Sequence, residues 1–194
     1  MGAVLPLDVL GDELAARQSA GQHVVLTNGV FDLMHYGHVQ YLRSARALGD
    51  LLVVAVNGDD SVRRIKGPQR PLVPEQERAA LVAALGCVDY VTIFGEDTAS
   101  HVVGSLQPDV YVKGADYAGA AHRERSYLLQ PEELRTIVAG DTGDHPELAG
   151  LAERLPEAPV VAGYGGSLAL LSYLPAHSTS ELIQRIVERY GASG

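Results

Sequence analysis

Apolar runs of strand length alternate with helical patterns along most of the chain. His23 to Thr27 (HVVLT), Leu51 to Val56 (LLVVAV), Asp89 to Phe94 (DYVTIF) and Asp109 to Val112 (DVYV) are short, β-branched and nearly continuous in apolar character. Such runs read as strands buried on both faces. Between them, apolar residues recur at helical spacing. One pattern runs from Tyr36 to Leu48 and stops at Gly49, and another from Pro74 to Leu85, with proline in its first turn and Gly86 behind it. Thr98 to Leu106 is a shorter one, and residues 1 to 20 read as a leading helix around Leu10 and Leu14. Leu168 to Leu174 (LALLSYL) predicts a fifth strand, and Ser178 to Tyr190 an amphipathic helix with a Ser/Thr start.

Strands separated by helices over the first 117 residues imply parallel pairing through right-handed crossovers. The expected fold is α/β, a doubly wound parallel sheet of about five strands with helices on both faces. Sheets of this kind bind ligands at the carboxyl ends of their strands, where the strand order reverses. Ala118 to Pro159 breaks the rhythm. It is polar, interrupted by Pro and Gly, and carries helical patterns at Pro131 to Ala139 and Pro146 to Leu155. One domain over residues 1–194 is expected, with a helical insertion around 118–158; deletion of much of residues 120 to 145 is expected to be tolerated structurally.

Composition narrows the function. With 15 Lys and Arg against 24 Asp and Glu, the formal net charge is −9, which disfavours coating of nucleic acid or of an anionic membrane. Cys87 is the single cysteine, so no intrachain disulfide is expected. The first residues carry no basic segment and meet acids early, unlike a secretory signal, and no apolar run approaches the ~20 residues of a membrane span. A cytoplasmic protein is expected. Lys66 and Lys113 are the only lysines, and a glycine follows each.

Chemistry concentrates where the first strand hands over to its helix, in Thr27-Asn28-Gly29-Val30-Phe31-Asp32-Leu33-Met34-His35-Tyr36-Gly37-His38. Gly29 permits close backbone approach, and the helix begins near His35 with its N–H groups and positive dipole end facing the strand end. His35 and His38, three apart, share one helix face. Together these features fit a phosphate site in which imidazoles donate to phosphoryl oxygens. An isolated H-x-x-H is also common as surface decoration or as half of a metal site, but no further ligands accompany this pair, so no metal site is assigned. G-x-S-x-G, Walker A and G-x-G-x-x-G patterns are absent.

This segment resembles the amino-terminal signature of the HIGH-type nucleotidyltransferase superfamily. Further matches follow in order: Val54-Ala55-Val56-Asn57-Gly58-Asp59-Asp60-Ser61-Val62, Lys66-Gly67-Pro68-Gln69-Arg70-Pro71, Glu77-Arg78, Val88-Asp89-Tyr90-Val91, and Pro108 to Tyr117 (PDVYVKGADY). As a set they resemble the adenylyltransferase domain of bacterial ADP-heptose synthesis, over residues 5 to 117 and again over about 159 to 190. The resemblance implies a Rossmann-like sheet, ATP and D-glycero-β-D-manno-heptose 1-phosphate as substrates, Mg²⁺ carried with the ATP, and a homodimer.

By the same resemblance, His35 and His38 contact the nucleotide phosphates and stabilise the transition state, and Asn28, Gly29, Val30 and Phe31 line the α-phosphate region. Lys113, Gly114 and Asp116 lie near the nucleotide. Ser178 and Thr179 hold the outer phosphates at a helix start. Asp32, Asn57 and Arg70 belong to the acceptor pocket, while Lys66 and Arg78 serve catalysis and acceptor binding together.

Two features depart from that family. The span between Tyr117 and Ser178 is longer by about one helical hairpin, either a lid or a surface element. His177 stands where a small residue is usual. The kinase half of the bifunctional heptose enzymes has no counterpart in these 194 residues, so a separate transferase is expected. A cytidylyltransferase acting on glycerol 3-phosphate shares the histidine motif but carries an arginine shortly before its Ser-Thr pair, and Leu174 to His177 contains none. Length, acidity and the absence of a K-M-S-K-S-like loop disfavour an aminoacyl-tRNA synthetase. A non-catalytic nucleotide sensor is the alternative of another class.

Overall fold

The computed structural model describes residues 2–172 and 179–191. Among these, seven strands form a single sheet: β1 (Ala3–Val4), β2 (Val24–Gly29), β3 (Leu51–Asn57), β4 (Tyr90–Phe94), β5 (Val110–Gly114), β6 (Tyr127–Leu129) and β7 (Ser167–Leu171), in the order β1-β4-β3-β2-β5-β7-β6. All pairs are parallel except β6 with β7. Every residue of β3 is buried, as its unbroken apolar run requires. From β2 the chain moves outward through β3 to β4, then returns to β5 on the other side of β2. The switch point therefore lies between the carboxyl ends of β2 and β5.

The helices divide over two faces. α1 (Leu7–Ser19), α5 (Ser100–Leu106), α6 (Pro131–Val138) and α8 (Glu157–Tyr164) cover one, over a core that includes Leu10, Leu26, Val53, Val103, Leu134 and Val161. α2 (Tyr36–Arg46) and α4 (Glu75–Ala83) cover the other, over Val25, Leu42, Leu52, Val54 and Val82. Neighbouring strand residues such as Val24 and Val25 go to opposite cores, as the two-residue period demands. α3 (Asp59–Lys66) follows β3, α7 (Leu151–Arg154) precedes α8, and α9 (Thr179–Tyr190) ends the described chain. Aspartates pin the amino ends of the central strands. Asp109 Oδ2 accepts from the Val24 amide and Asp89 Oδ2 from the Leu52 amide, both at 2.8 Å. Among the described residues, no helix is long and apolar enough to cross a membrane.

The sheet is wider than the five strands expected. β1 has two residues and β6 three, too short for either to register as an apolar run. α3 and α8 were also not anticipated, and the pattern from 146 to 155 resolves into a 3₁₀ turn at Pro146–Leu148 followed by α7. The fifth expected strand ends at Leu171, and residues 173 and 174 lie outside the described residues.

Tolerance of a deletion across 120–145 is not what this packing supports. That stretch supplies β6, which pairs with β7 through Tyr127–Leu170 and Leu129–Leu168. Leu129, Leu134 and Ile137 belong to the same buried cluster as the central strands. Leu134 has no exposed surface. Leu134→Ala is therefore expected to cost about 2–5 kcal/mol in urea unfolding. A loss below about 0.5 kcal/mol would show that this segment is not part of the core.

Candidate active site

β2 ends at Gly29, and the six residues 30–35 lead from it into α2. Phe31 takes a positive φ of 51°, which folds its ring back over the strand end. A Cβ on Gly29 would stand 3.0 Å from Phe31 Cε2, so glycine is what lets the ring lie there. His35 is the N-cap of α2 in extended conformation, and its carbonyl accepts from the His38 amide at 3.0 Å. No acidic side chain occupies the first turn and no side chain caps it, so the positive end of the helix dipole is not neutralised locally.

The two imidazoles stack face to face, with ring centroids 3.9 Å apart and planes 26° apart. Phe31 meets His38 edge-on at 5.3 Å. Burial, reinforced by the neighbouring His35, pushes the His38 pKa down to about 4. At neutral pH this ring is an uncharged hydrogen-bond donor. Its Nδ1 is buried without a partner.

Across the switch point, Lys113 extends from β5 and donates from Nζ to Asn28 Oδ1 at 3.1 Å, with the Tyr117 ring centroid 5.0 Å away. Burial lowers the Lys113 pKa, the charges of Glu157 and Asp116 act against that shift, and the Lys66 charge adds to it. Lys66 itself is exposed at the end of α3, and Asp116 is exposed in the 3₁₀ turn after β5. Gly114 is buried at the end of β5, opposite Leu171. Thr179 begins α9, whereas Ser178 and His177 lie outside the described residues.

Three residues expected to meet substrate are instead engaged by the protein. Arg78 has no exposed surface. It donates from Nε to the Val73 carbonyl (2.9 Å), from Nη1 to the Val30 carbonyl (2.5 Å), and from Nη2 to the Asn57 carbonyl (2.8 Å) and Asp59 Oδ1 (2.7 Å). Direct contact between Arg78 and a phosphate, as the sequence suggested, is closed off by this burial; the residue positions the loops around the site. Asp32 accepts on Oδ1 from the Leu72 amide (2.8 Å) and the Val73 amide (2.9 Å). Its Oδ2 stands 3.2 Å from Arg70 Nε, an ion pair without hydrogen-bond geometry. Asn57 is buried and donates from Nδ2 to Ser61 Oγ at 3.1 Å. The Val73 peptide is thus held on both sides, its N–H by Asp32 and its C=O by Arg78.

Sequence reasoning missed the partners of these groups. Asp59 balances Arg78, and Glu75 Oε2 accepts from the Asp59 amide at 2.6 Å. Thr27 and Tyr41 both donate to the Val112 carbonyl and so tie β2 and α2 to β5. Tyr111 reaches Asn28. Among the described residues, no cluster of three or more His, Cys, Asp or Glu is arranged to hold a metal ion.

The fold and these groups define a doubly wound α/β domain with its candidate site at the switch point. Residues 26–143, more than half of the chain, match the family model for cytidylyltransferase-like domains, and the chain belongs to that family. Bifunctional protein HldE of Syntrophotalea carbinolica is 43% identical over 181 residues, covering 93% of this chain and 30% of that protein. Bifunctional protein HldE of Helicobacter pylori is 53% identical over 135 residues, 67% of this chain and 28% of that protein. The chain thus spans about 30% of the length of the curated relatives it matches. A crystal structure of the lipopolysaccharide core biosynthesis protein from Thermoplasma volcanium superposes with a TM-score of 0.45 at 38% identity, over 50% of this chain and 77% of that one.

Two outcomes test this geometry. Arg78→Ala strips partners from Asp59 and three carbonyls, and is expected to cost about 3 kcal/mol in urea unfolding. That is the low end for a broken buried pair, because Asp59 keeps 22% of its side-chain exposure. His38 stays neutral in the folded chain until the pH falls to about 4, while the unfolded imidazole binds its proton near 6.5. Its contribution to stability is complete above that upper value and is lost as the pH falls from 6.5 towards 4. His38→Asn is expected to flatten the stability profile across that window, and an unchanged slope would contradict a buried neutral imidazole.

Proposed function

We propose that the chain is a nucleotidyltransferase that moves the adenylyl group of ATP to a sugar 1-phosphate, with D-glycero-β-D-manno-heptose 1-phosphate as the acceptor. The observation that carries this reading is the stacked His35–His38 pair at the uncapped start of α2, which follows β2, with Lys113 bonded to Asn28 at the carboxyl end of that same strand. Similarity to two HldE proteins over most of this chain supports the acceptor class.

An acceptor phosphate oxygen attacks the α-phosphorus of ATP, the bond to the β-phosphate bridge oxygen breaks, and pyrophosphate leaves with the electron pair. The attacking oxygen is already anionic at neutral pH, so no general base is required. Catalysis then consists of positioning and of stabilising charge on the phosphoryl oxygens. Neutral His38 suits that task, because it donates without the cost of burying a resting charge. Lys113 and the exposed Lys66 supply positive charge, and Arg70 serves the acceptor side beside Asp32. Thr179 at the start of α9, together with Ser178 before it in the sequence, takes the outer phosphates, and Mg²⁺ enters with the triphosphate.

A substrate matrix tests the reading. Purified protein with Mg²⁺, ATP or CTP, and a panel of sugar and alcohol phosphates should release most pyrophosphate with ATP and the heptose 1-phosphate. Dominant activity with CTP and glycerol 3-phosphate would replace the proposed substrates. ATP binding without release from any pair would indicate a sensor. His38→Ala should lower kcat by about 10²–10³, about 2.7–4 kcal/mol of transition-state stabilisation, with its far-UV circular dichroism unchanged.

A further inference from the structure

Tyr111 lies in the middle of β5, opposite Leu26 of β2 and Leu168 of β7, with no exposed surface. Its ring belongs to the core beneath α1, α5 and α8. Its hydroxyl donates to Asn28 Oδ1 at 2.7 Å. Lys113, two residues further along the strand and therefore on the same face, donates to that same oxygen at 3.1 Å.

An ammonium group has donors and no acceptor, so the Asn28 atom that it touches must be the oxygen. This settles which way round the carboxamide sits, an assignment that shape alone leaves open. With Tyr111 and Lys113 on Oδ1, both lone pairs of that oxygen are in use. The two N–H groups on Nδ2 then form the other edge of the amide, and they donate to no other described residue. Asn28 is half-buried, at the carboxyl end of β2 and one residue before Gly29, on the rim of the crevice. The Tyr111 phenol is pushed to a higher pKa by burial and keeps its proton through the neutral range.

We propose that Tyr111 is a positioning residue which, together with Lys113, fixes the Asn28 carboxamide so that its N–H groups meet a phosphoryl oxygen of the bound nucleotide. The inference rests on the nucleotidyl-transfer reading for the identity of that ligand. Tyr111 never touches substrate; it acts through Asn28.

Tyr111→Phe keeps the ring and removes the one hydroxyl, so it isolates this role from packing. In kinetics, Tyr111→Phe and Asn28→Ala should each raise the KM for ATP about tenfold, with little change in the KM for the acceptor. The double variant should be no worse than Asn28→Ala, because both changes remove one device. Additive losses, or a Tyr111→Phe protein that is less stable yet keeps its KM for ATP within twofold, would overturn the proposal. A second measurement stands apart from turnover. The side-chain amide pair of Asn28, assigned by its disappearance in Asn28→Asp, is followed by ¹H–¹⁵N correlation while Mg·ATP is added. It should shift in the wild type and respond weakly in Tyr111→Phe. An amide pair that ignores Mg·ATP, or responds equally in both proteins, sinks the idea even if no acceptor supports turnover; absence of turnover with a responsive pair would instead count against the transferase reading alone.

Discussion

A guanidinium with no contact with water survives in a folded protein only when its charge and its donors are met. Around Arg78 that requirement organises three separate pieces of backbone. Its nitrogens reach the loop after β2, the end of β3, the segment before α4, and the carboxylate that opens α3. An isolated charge in this position would be prohibitive. The loops therefore cannot drift apart without leaving it unpaired. Asp32 performs the complementary service for N–H groups. Together they make the loop carrying Phe31 and the loop carrying Arg70 one rigid unit, which is what a reaction governed by positioning needs.

This arrangement separates support from chemistry. Arg78 and Asp32, which hold the loops of the site together, are charged and buried, and each is bonded to backbone and paired with an opposite charge. Groups facing the crevice are held in states that suit a polyanion: His38 is uncharged, and Lys113 is stripped of much of its solvent. The bulk charge of −9 does not bar the proposed binding of phosphates, because a cation such as Lys113 stands at a defined place beside the end of β2.

Much of this was legible in the sequence. The four early apolar runs became β2 to β5, and the Gly29 to His38 segment lies at the strand-to-helix corner where its composition placed it. β6 escaped notice because three residues in a polar stretch have no periodicity to read; only pairing with β7 makes them a strand. Arg78 was misread for a different reason. Its four-residue spacing from Val82 puts it on the buried face of α4, a cue that the polarity of the side chain obscured. Tyr111 looked like one more apolar position in DVYV. Its hydroxyl gains meaning only when β5 is laid beside β2, a long-range fact that local pattern does not contain.

The pairing of β5 with β2 carries a consequence for how this scaffold can change over time. Tyr111 and Lys113 reach Asn28 because they stand two apart on one strand, and a single inserted or deleted residue between them would turn one of them to the opposite side of the sheet. The strand thus behaves as a ruler whose graduations cannot be respaced. Length can be added after Tyr117, where the polypeptide leaves the ruler, and it is there that this chain carries its long excursion through β6, α6 and α7. Growth and invariance are allotted to adjoining stretches of the same polypeptide.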